Sequence, residues 1–265
     1  MTQSKITKRG VEWLAQTDEF RILHHFDSVC DLINESKQVL ALHTVKIGMG
    51  PFSCQTSEES FQQFNRLVGV GGAGTIYSLR NQNHSDLFDP YGNIFATQNA
   101  ILWKARPDWK KLTPAMLIEI SHTTSDRNKM FLNGLHKAIV ADNRPVISGA
   151  ARRLAGRGFG LTPEGDDLLI GTMFALHVLN WDQDVIDRIG EATLGQTASL
   201  SAAFLQAAVA GEATEPWHQV LAAEPNALEK LLSVGDTSGK DAWVGFVKMM
   251  QTAQQVGLSG TKFRV

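Results

Sequence analysis

Three aspartates define the chemistry open to this chain. Asp166 and Asp167 lie in the run Gly156 to Gly171, Gly-Arg-Gly-Phe-Gly-Leu-Thr-Pro-Glu-Gly-Asp-Asp-Leu-Leu-Ile-Gly. Asp241 lies in the run Gly235 to Gly245, Gly-Asp-Thr-Ser-Gly-Lys-Asp-Ala-Trp-Val-Gly. Each run contains Gly-x-Asp-x-x-x-Gly, as Gly165, Asp167 and Gly171 and again as Gly239, Asp241 and Gly245. An Asp four residues before a Gly shares its helix face, and a Gly on that face lets a second helix or a ligand approach the backbone. Two helix starts that converge would offer backbone N–H groups to an anion and carboxylates to a metal ion or a proton. Asp166, Asp167 and Asp241 are therefore the candidate catalytic residues and candidate Mg²⁺ ligands.

The flanking residues indicate the elements that must position these groups. Gly156, Gly158 and Gly160 suit a loop with positive φ whose amides point outward. Thr162 is a good N-cap and Pro163 suits the first helical position. Glu164, Asp166 and Asp167 then fall in the first turn and a half, where the helix dipole favours each negative charge by roughly 0.3–1 kcal/mol. The apolar run Leu168 to Leu179 predicts a helix buried on most sides with its polar start in a cleft; the plainer alternative is a capped core helix whose acids face water. Gly158, Gly160, Thr162, Gly165, Thr237, Ser238 and Gly239 are candidate substrate-binding positions at the two helix starts. Arg157 and Lys240 flank them, as do Arg152 and Arg153, and a guanidinium beside a glycine loop suits phosphate or carboxylate. Ser199 and Ser201, on an alanine-rich helix, are secondary candidates for lining the cleft.

Other signals are weaker. The eight histidines show no zinc spacing. His122, in Ser-His-Thr-Thr-Ser-Asp, suits a triad, yet no Gly-x-Ser-x-Gly elbow accompanies it and the plainer reading is a polar helix end. Val68 to Gly74 is glycine-rich, but Thr75 to Leu79 reads as strand where a dinucleotide loop would open a helix, so the glycines mark a bend.

The chain has 265 residues, 43% hydrophobic, and a formal charge of −2, enough for a substantial core and without the basic excess of a nucleic-acid binder. No run is apolar enough to span a membrane and the start is polar. Cys30 and Cys54, without CxxC spacing, read as reduced core thiols of a cytoplasmic protein. Residues 1–19 suggest a frayed start with a turn of helix around Val11 to Ala15. Phe20 to Trp103 reads mostly as strand, with Gln38 to Ile47, Gly74 to Leu79 and Asn93 to Trp103 as the clearest runs and Asp89 to Asn93 as a turn. Helix patterns dominate beyond that point: Thr113-Pro114 opening a segment to Ile120, then Arg127–Val140, Pro145–Arg153, Val185–Leu194, Thr197–Ala210, Asn226–Val234 and a last helix from about Lys240. The fold class expected is α+β, a β-rich mixed N-terminal domain over 1–110 and a helical C-terminal domain over 111–265 carrying both motifs.

Gly160-Leu161-Thr162-Pro163-x-Gly165-Asp166-Asp167-x-Leu169-x-Gly171 resembles the signature of a bacterial family associated with AllH, a subunit of the oxamate carbamoyltransferase of anaerobic allantoin catabolism. Thr237-Ser238-Gly239-x-Asp241 resembles that family's second motif, and Ser201, Leu205, Ala208 and Gly211 fit the small-residue helix between them. The N-terminal half fits only through the turn Gly50-Pro51-Phe52-Ser53. The family usually has Ser at Glu164 and His at Asp236; both departures add negative charge, which favours a bridging cation. The resemblance implies carbamoyl transfer between oxamate and carbamoyl phosphate, a small anionic substrate, and other carbamoyltransferase subunits as partners; the composition itself points to no nucleic-acid and no membrane partner. On that reading phosphate lies against the Gly158 to Gly165 amides, Asp166, Asp167 and Asp241 hold Mg²⁺ or take the amide proton, and Arg157 or Lys240 neutralises the oxamate carboxylate. The alternatives are a non-catalytic structural or metabolite-binding subunit and an independent Mg²⁺-dependent phosphotransferase.

Overall fold

The structure is a computed structural model that describes residues 4–68, 75–78, 100–113 and 116–257. The chain divides into two compact units, residues 1–105 and 106–265. The architecture is α+β, with a mixed sheet in the first unit and helices filling the second.

In the first unit the described strands are β1 (Lys5–Thr7), β2 (Glu19–His25), β3 (Val29–Asn34), β4 (Val39–His43), β5 (Ser53–Gln55), β6 (Ile76–Ser78) and β7 (Ile101–Trp103), in the order β6-β2-β3-β4-β5-β1-β7. The pairs β4–β5 and β1–β7 are parallel and the rest antiparallel. Phe20, Cys30, Leu32, Leu40 and Leu42 are buried with Phe61 and Phe64 of helix α2 (Glu58–Val68), giving this unit a core of its own. Cys30 and Cys54 are free and buried, and burial pushes both thiols up to about 12.

The structure corrects two sequence expectations in this unit. The start forms β1 followed by α1 (Lys8–Gln16), whose first turn is capped by the Thr7 hydroxyl accepting from Gly10 N at 3.1 Å, so the helix is longer than one turn. α2 interrupts a region read as strand: Phe61, Phe64 and Val68 are three and four residues apart, a helical stripe that the surrounding strand pattern concealed. Residues 69–74, the turn Asp89 to Asn93 and most of the run Asn93 to Trp103 lie outside the described residues.

The second unit contains α3 (Asp126–Val140), α4 (Arg144–Leu154), α5 (Glu164–Val178), α6 (Gln183–Thr193), α7 (Ser199–Val209), α8 (Glu215–Leu221), α9 (Ala227–Leu232) and α10 (Ser238–Gln255), preceded by a short 3-10 turn, Trp109–Lys111. Residues 117–125 are irregular, where the sequence suggested a helix running to Ile120. Trp109, Phe174, Trp217, Phe246 and Trp243 form a continuous aromatic core, with successive ring centroids 4.8–5.3 Å apart. Two of the three indoles donate to backbone carbonyls, Trp109 to Gly211 O (3.0 Å) and Trp243 to Ile118 O (2.8 Å). The second bond fixes the irregular segment against α10. Among the described residues no helix is long and apolar enough to cross a membrane.

Candidate functional site

Helices α5 and α10 carry the repeated motif and pack directly on each other through its glycines. A Cβ on Gly171 would lie 1.8 Å from Ala242 O, and one on Gly245 would lie 2.2 Å from Leu168 O. Neither position has room for a side chain, because what stands opposite is backbone. These contacts are reciprocal. One spacing of 74 residues relates Gly165, Asp167, Leu168 and Gly171 to Gly239, Asp241, Ala242 and Gly245, so the second glycine of each motif touches, in the other helix, the residue equivalent to the one three positions before itself. The leading glycines also lie against preceding backbone, a Cβ on Gly165 meeting Leu154 O at 2.0 Å and one on Gly239 meeting Leu231 O at 1.9 Å, although their amides donate to acceptors at different offsets, Gly165 N to Arg157 O at 2.8 Å and Gly239 N to Val234 O at 3.0 Å. The two helices thus repeat one local design, with their starts brought together. Thr162 Oγ1 and Ser238 Oγ are 2.6 Å apart across that junction.

The three aspartates have different fates. Asp166 is fully buried and points away from the junction: Oδ1 accepts from Gly156 N at 2.7 Å, while Oδ2 accepts from Ser201 Oγ at 2.7 Å and from Thr197 Oγ1. Its work is to tie the turn at Gly156 to the start of α7. Asp166→Ala is expected to lower folding stability by about 3 kcal/mol, because it strands three donors; urea denaturation would measure this.

Asp167 and Asp241 remain at the junction. Asp241 is 1% exposed, and His122 Nε2 donates to its Oδ1 at 2.7 Å. Burial raises the Asp241 carboxyl; His122 and the Thr237 hydroxyl pull it back, and Glu164 pushes it up. Asp167 is 4% exposed, and its Oδ2 is buried with no hydrogen-bond partner. Burial foremost, with repulsion from Asp241 and Asp166, raises its carboxyl to about 8 against the opposing pull of the Ser238 and Thr162 hydroxyls. The folded state therefore keeps a proton that the unfolded chain loses near the ordinary carboxylate range, and stability falls as pH rises through that range towards about 8. Asp167→Asn is expected to remove that fall, at about 1.4 kcal/mol for each tenfold change in proton affinity. The variant should match the parent at acid pH and exceed it increasingly towards about pH 8 in denaturation series.

The remaining sequence candidates are distributed around this pair. The helix begins at Glu164 with Pro163 as N-cap and no side-chain cap, so Thr162 stands one residue further out than expected, its hydroxyl turned to Ser238. Pro163 has an extended ψ of 146°, which places it outside the helix. Gly158 and Gly160 adopt φ of +129° and +91° in an exposed loop, and Gly158 lies so close to Glu164 N that a Cβ would come within 2.6 Å of it. Arg157 donates from Nε to Arg153 O at 3.0 Å and stacks on Phe131 at 5.3 Å. Thr237 precedes α10, and Lys240 is half-buried with no ion-pair partner among the described residues.

These residues do not fit Mg²⁺ as a three-carboxylate site. Both oxygens of Asp166 are taken by protein donors, and among the described residues no group of three or more His, Cys, Asp and Glu side chains is placed to hold a metal ion. The junction suits a proton instead: two buried acids, one neighbouring imidazole and one unmatched carboxyl oxygen.

Two residues carry more than their sequence context suggested. His122 belongs to no helix end; it sits in the irregular segment anchored at one side by Ile118 O on Trp243 and at the other by Ser125 N, which donates to Glu164 Oε1 at 2.8 Å. Glu164, read as extra charge at the site, thus helps to present His122. The polar run Ser-His-Thr-Thr-Ser-Asp, too hydrophilic for the core helix next to it, was the available signal. Asp236 is exposed.

Together the fold and the site define a two-unit α+β protein whose helical unit holds a buried acid pair where two copies of one helix-start motif meet. Residues 154–250, which contain both copies, match the model of the family described as oxamate carbamoyltransferase subunit AllH, and over that stretch the chain is similar to that family. His122 and Ser125 lie before the matched residues. No curated protein and no solved structure matches the chain.

Proposed function

We propose that this chain is a subunit of a carbamoyltransferase of allantoin catabolism, interconverting oxamate and carbamoyl phosphate with oxalurate and phosphate in the cytoplasm alongside other subunits. The observation that carries the reading is the buried Asp167–Asp241 pair, with Asp241 oriented by His122, inside the AllH-like segment. In this scheme the oxamate nitrogen attacks the carbamoyl carbon, a C–N bond forms and the C–O bond to phosphate breaks. Asp241, held by His122, takes the proton that leaves the nitrogen, as a general base within hydrogen-bond reach. Asp167, carrying its own proton, donates a hydrogen bond to oxygen that gains charge. The anionic ends lie towards the exposed Gly158 to Gly160 loop, Arg157 and Lys240.

A second reading has its own support. The glycine contacts alone would lock α5 to α10 in a subunit without chemistry of its own. Carbamoyl-transfer assays of the reconstituted complex, with and without this chain, test the first reading. Transfer that needs the chain and its Asp241 carboxylate supports catalysis; transfer needing the chain but indifferent to Asp241→Asn supports the structural role.

A further inference from the structure

Resting on the carbamoyl-transfer reading, we infer that the Asp167–Asp241 junction binds an uncharged primary amide group, and that the charged end of the substrate is held elsewhere. Asp167 and Asp241 are both buried where α5 and α10 meet, and the His122 imidazole engages Asp241, at 2.7 Å. The second acid has a buried oxygen, Oδ2 of Asp167, that no donor satisfies. A buried acceptor in that condition is costly unless it carries a proton or meets a donor. Two buried negative charges beside one imidazole also favour retaining one proton between them.

The pair then presents one hydroxyl donor, on Asp167, and one acceptor, the ionised Asp241. A primary amide presents the complement along one edge: a carbonyl oxygen that accepts and an N–H that donates. A carboxylate presents acceptors only, and both it and phosphate, even with an O–H of its own, face Asp241 with like charge. The helix-start amides do not favour an anion here either, since Gly165 N and Gly239 N are already bonded to Arg157 O and Val234 O. Burial, Asp241 and Asp166 oppose the ionisation of Asp167 against the pull of the Ser238 and Thr162 hydroxyls, whereas at Asp241 burial and Glu164 are countered by His122 and the Thr237 hydroxyl, which favour the ionised form. In a molecule with an amide at one end and an anion at the other, the amide is drawn in and the anion is left at the exposed loop.

Calorimetric titration of the full-length chain with oxamide, a neutral diamide, tests this, with oxalate and inorganic phosphate as anionic probes. Near pH 6.5 oxamide should bind at least about tenfold more tightly than oxalate, the weight of one well-made buried hydrogen bond. Raising the pH to about 9.5 should weaken oxamide at least about tenfold by removing the Asp167 proton. Asp167→Asn supplies an N–H donor in place of the hydroxyl, so it should keep oxamide binding and abolish its pH dependence. Asp241→Asn should weaken oxamide binding with cooperative melting retained. No oxamide binding, equal binding of oxalate, or indifference to Asp241→Asn in a folded variant overturns the inference. Should oxalate or phosphate bind while oxamide does not, the inference fails even if the complex transfers carbamoyl groups; should oxamide bind as described by a chain on which transfer does not depend, the functional reading fails alone.

Discussion

Gly171→Ala is expected to destabilise the protein by about 3 kcal/mol or more, or to prevent folding, although it adds a single methyl group. The new carbon would lie 1.8 Å from Ala242 O, 2.7 Å from its carbonyl carbon and 2.8 Å from Phe246 N. All three atoms are backbone of α10, so relief requires moving a helix whose Trp243 and Phe246 are wholly buried. Intrinsic helix propensity predicts the opposite, since Ala is favoured over Gly in a helix interior by about 1 kcal/mol. Gly134 and Gly149 supply the control: both are helical and nothing lies within 4 Å of a Cβ there, so Gly134→Ala and Gly149→Ala should stabilise by about 0.5–1 kcal/mol. Equilibrium denaturation of the three variants reads the contrast. Equal effects would mean that the two motif helices do not touch.

Asp241→Asn is expected to lower carbamoyl transfer by the reconstituted complex about 10²–10⁴-fold, the range over which a positioned general base contributes. The amide keeps the shape and can still meet His122, so folding should change by no more than about 1 kcal/mol. A loss of activity without a loss of stability is what distinguishes a base from a structural residue. Asp166→Ala should show the reverse, because both oxygens of Asp166 bind the protein itself.

The part of this site that was legible in the sequence is the part made by local pattern. Gly-x-Asp-x-x-x-Gly places Asp and the second Gly on one helix face, and a repeat of that pattern implied two helices with a shared contact. What the pattern left open was which of two adjacent acids faces the junction. Asp166 and Asp167 are separated by about 100° around the helix, and α7, with Thr197 and Ser201 at its start, decided between them. His122 was not legible, because its place depends on Trp243 bonding Ile118 O and Glu164 bonding Ser125 N, two contacts across long stretches of chain. In the first unit the strand character of the stretch from Phe20 that holds β2 to β4 was legible in its apolar, β-branched residues, whereas α2 was hidden by polar residues between its buried positions Phe61, Phe64 and Val68.

Carbon-13 NMR titration of the Asp167 side-chain carboxyl in the intact protein tests the account most directly. A buried acid that keeps its proton beside Asp241 should titrate near 8, and Asp241→Asn should lower that midpoint by removing the neighbouring charge. A midpoint near 4, unmoved by Asp241→Asn, would show two independent, solvated carboxylates and contradict the shared site.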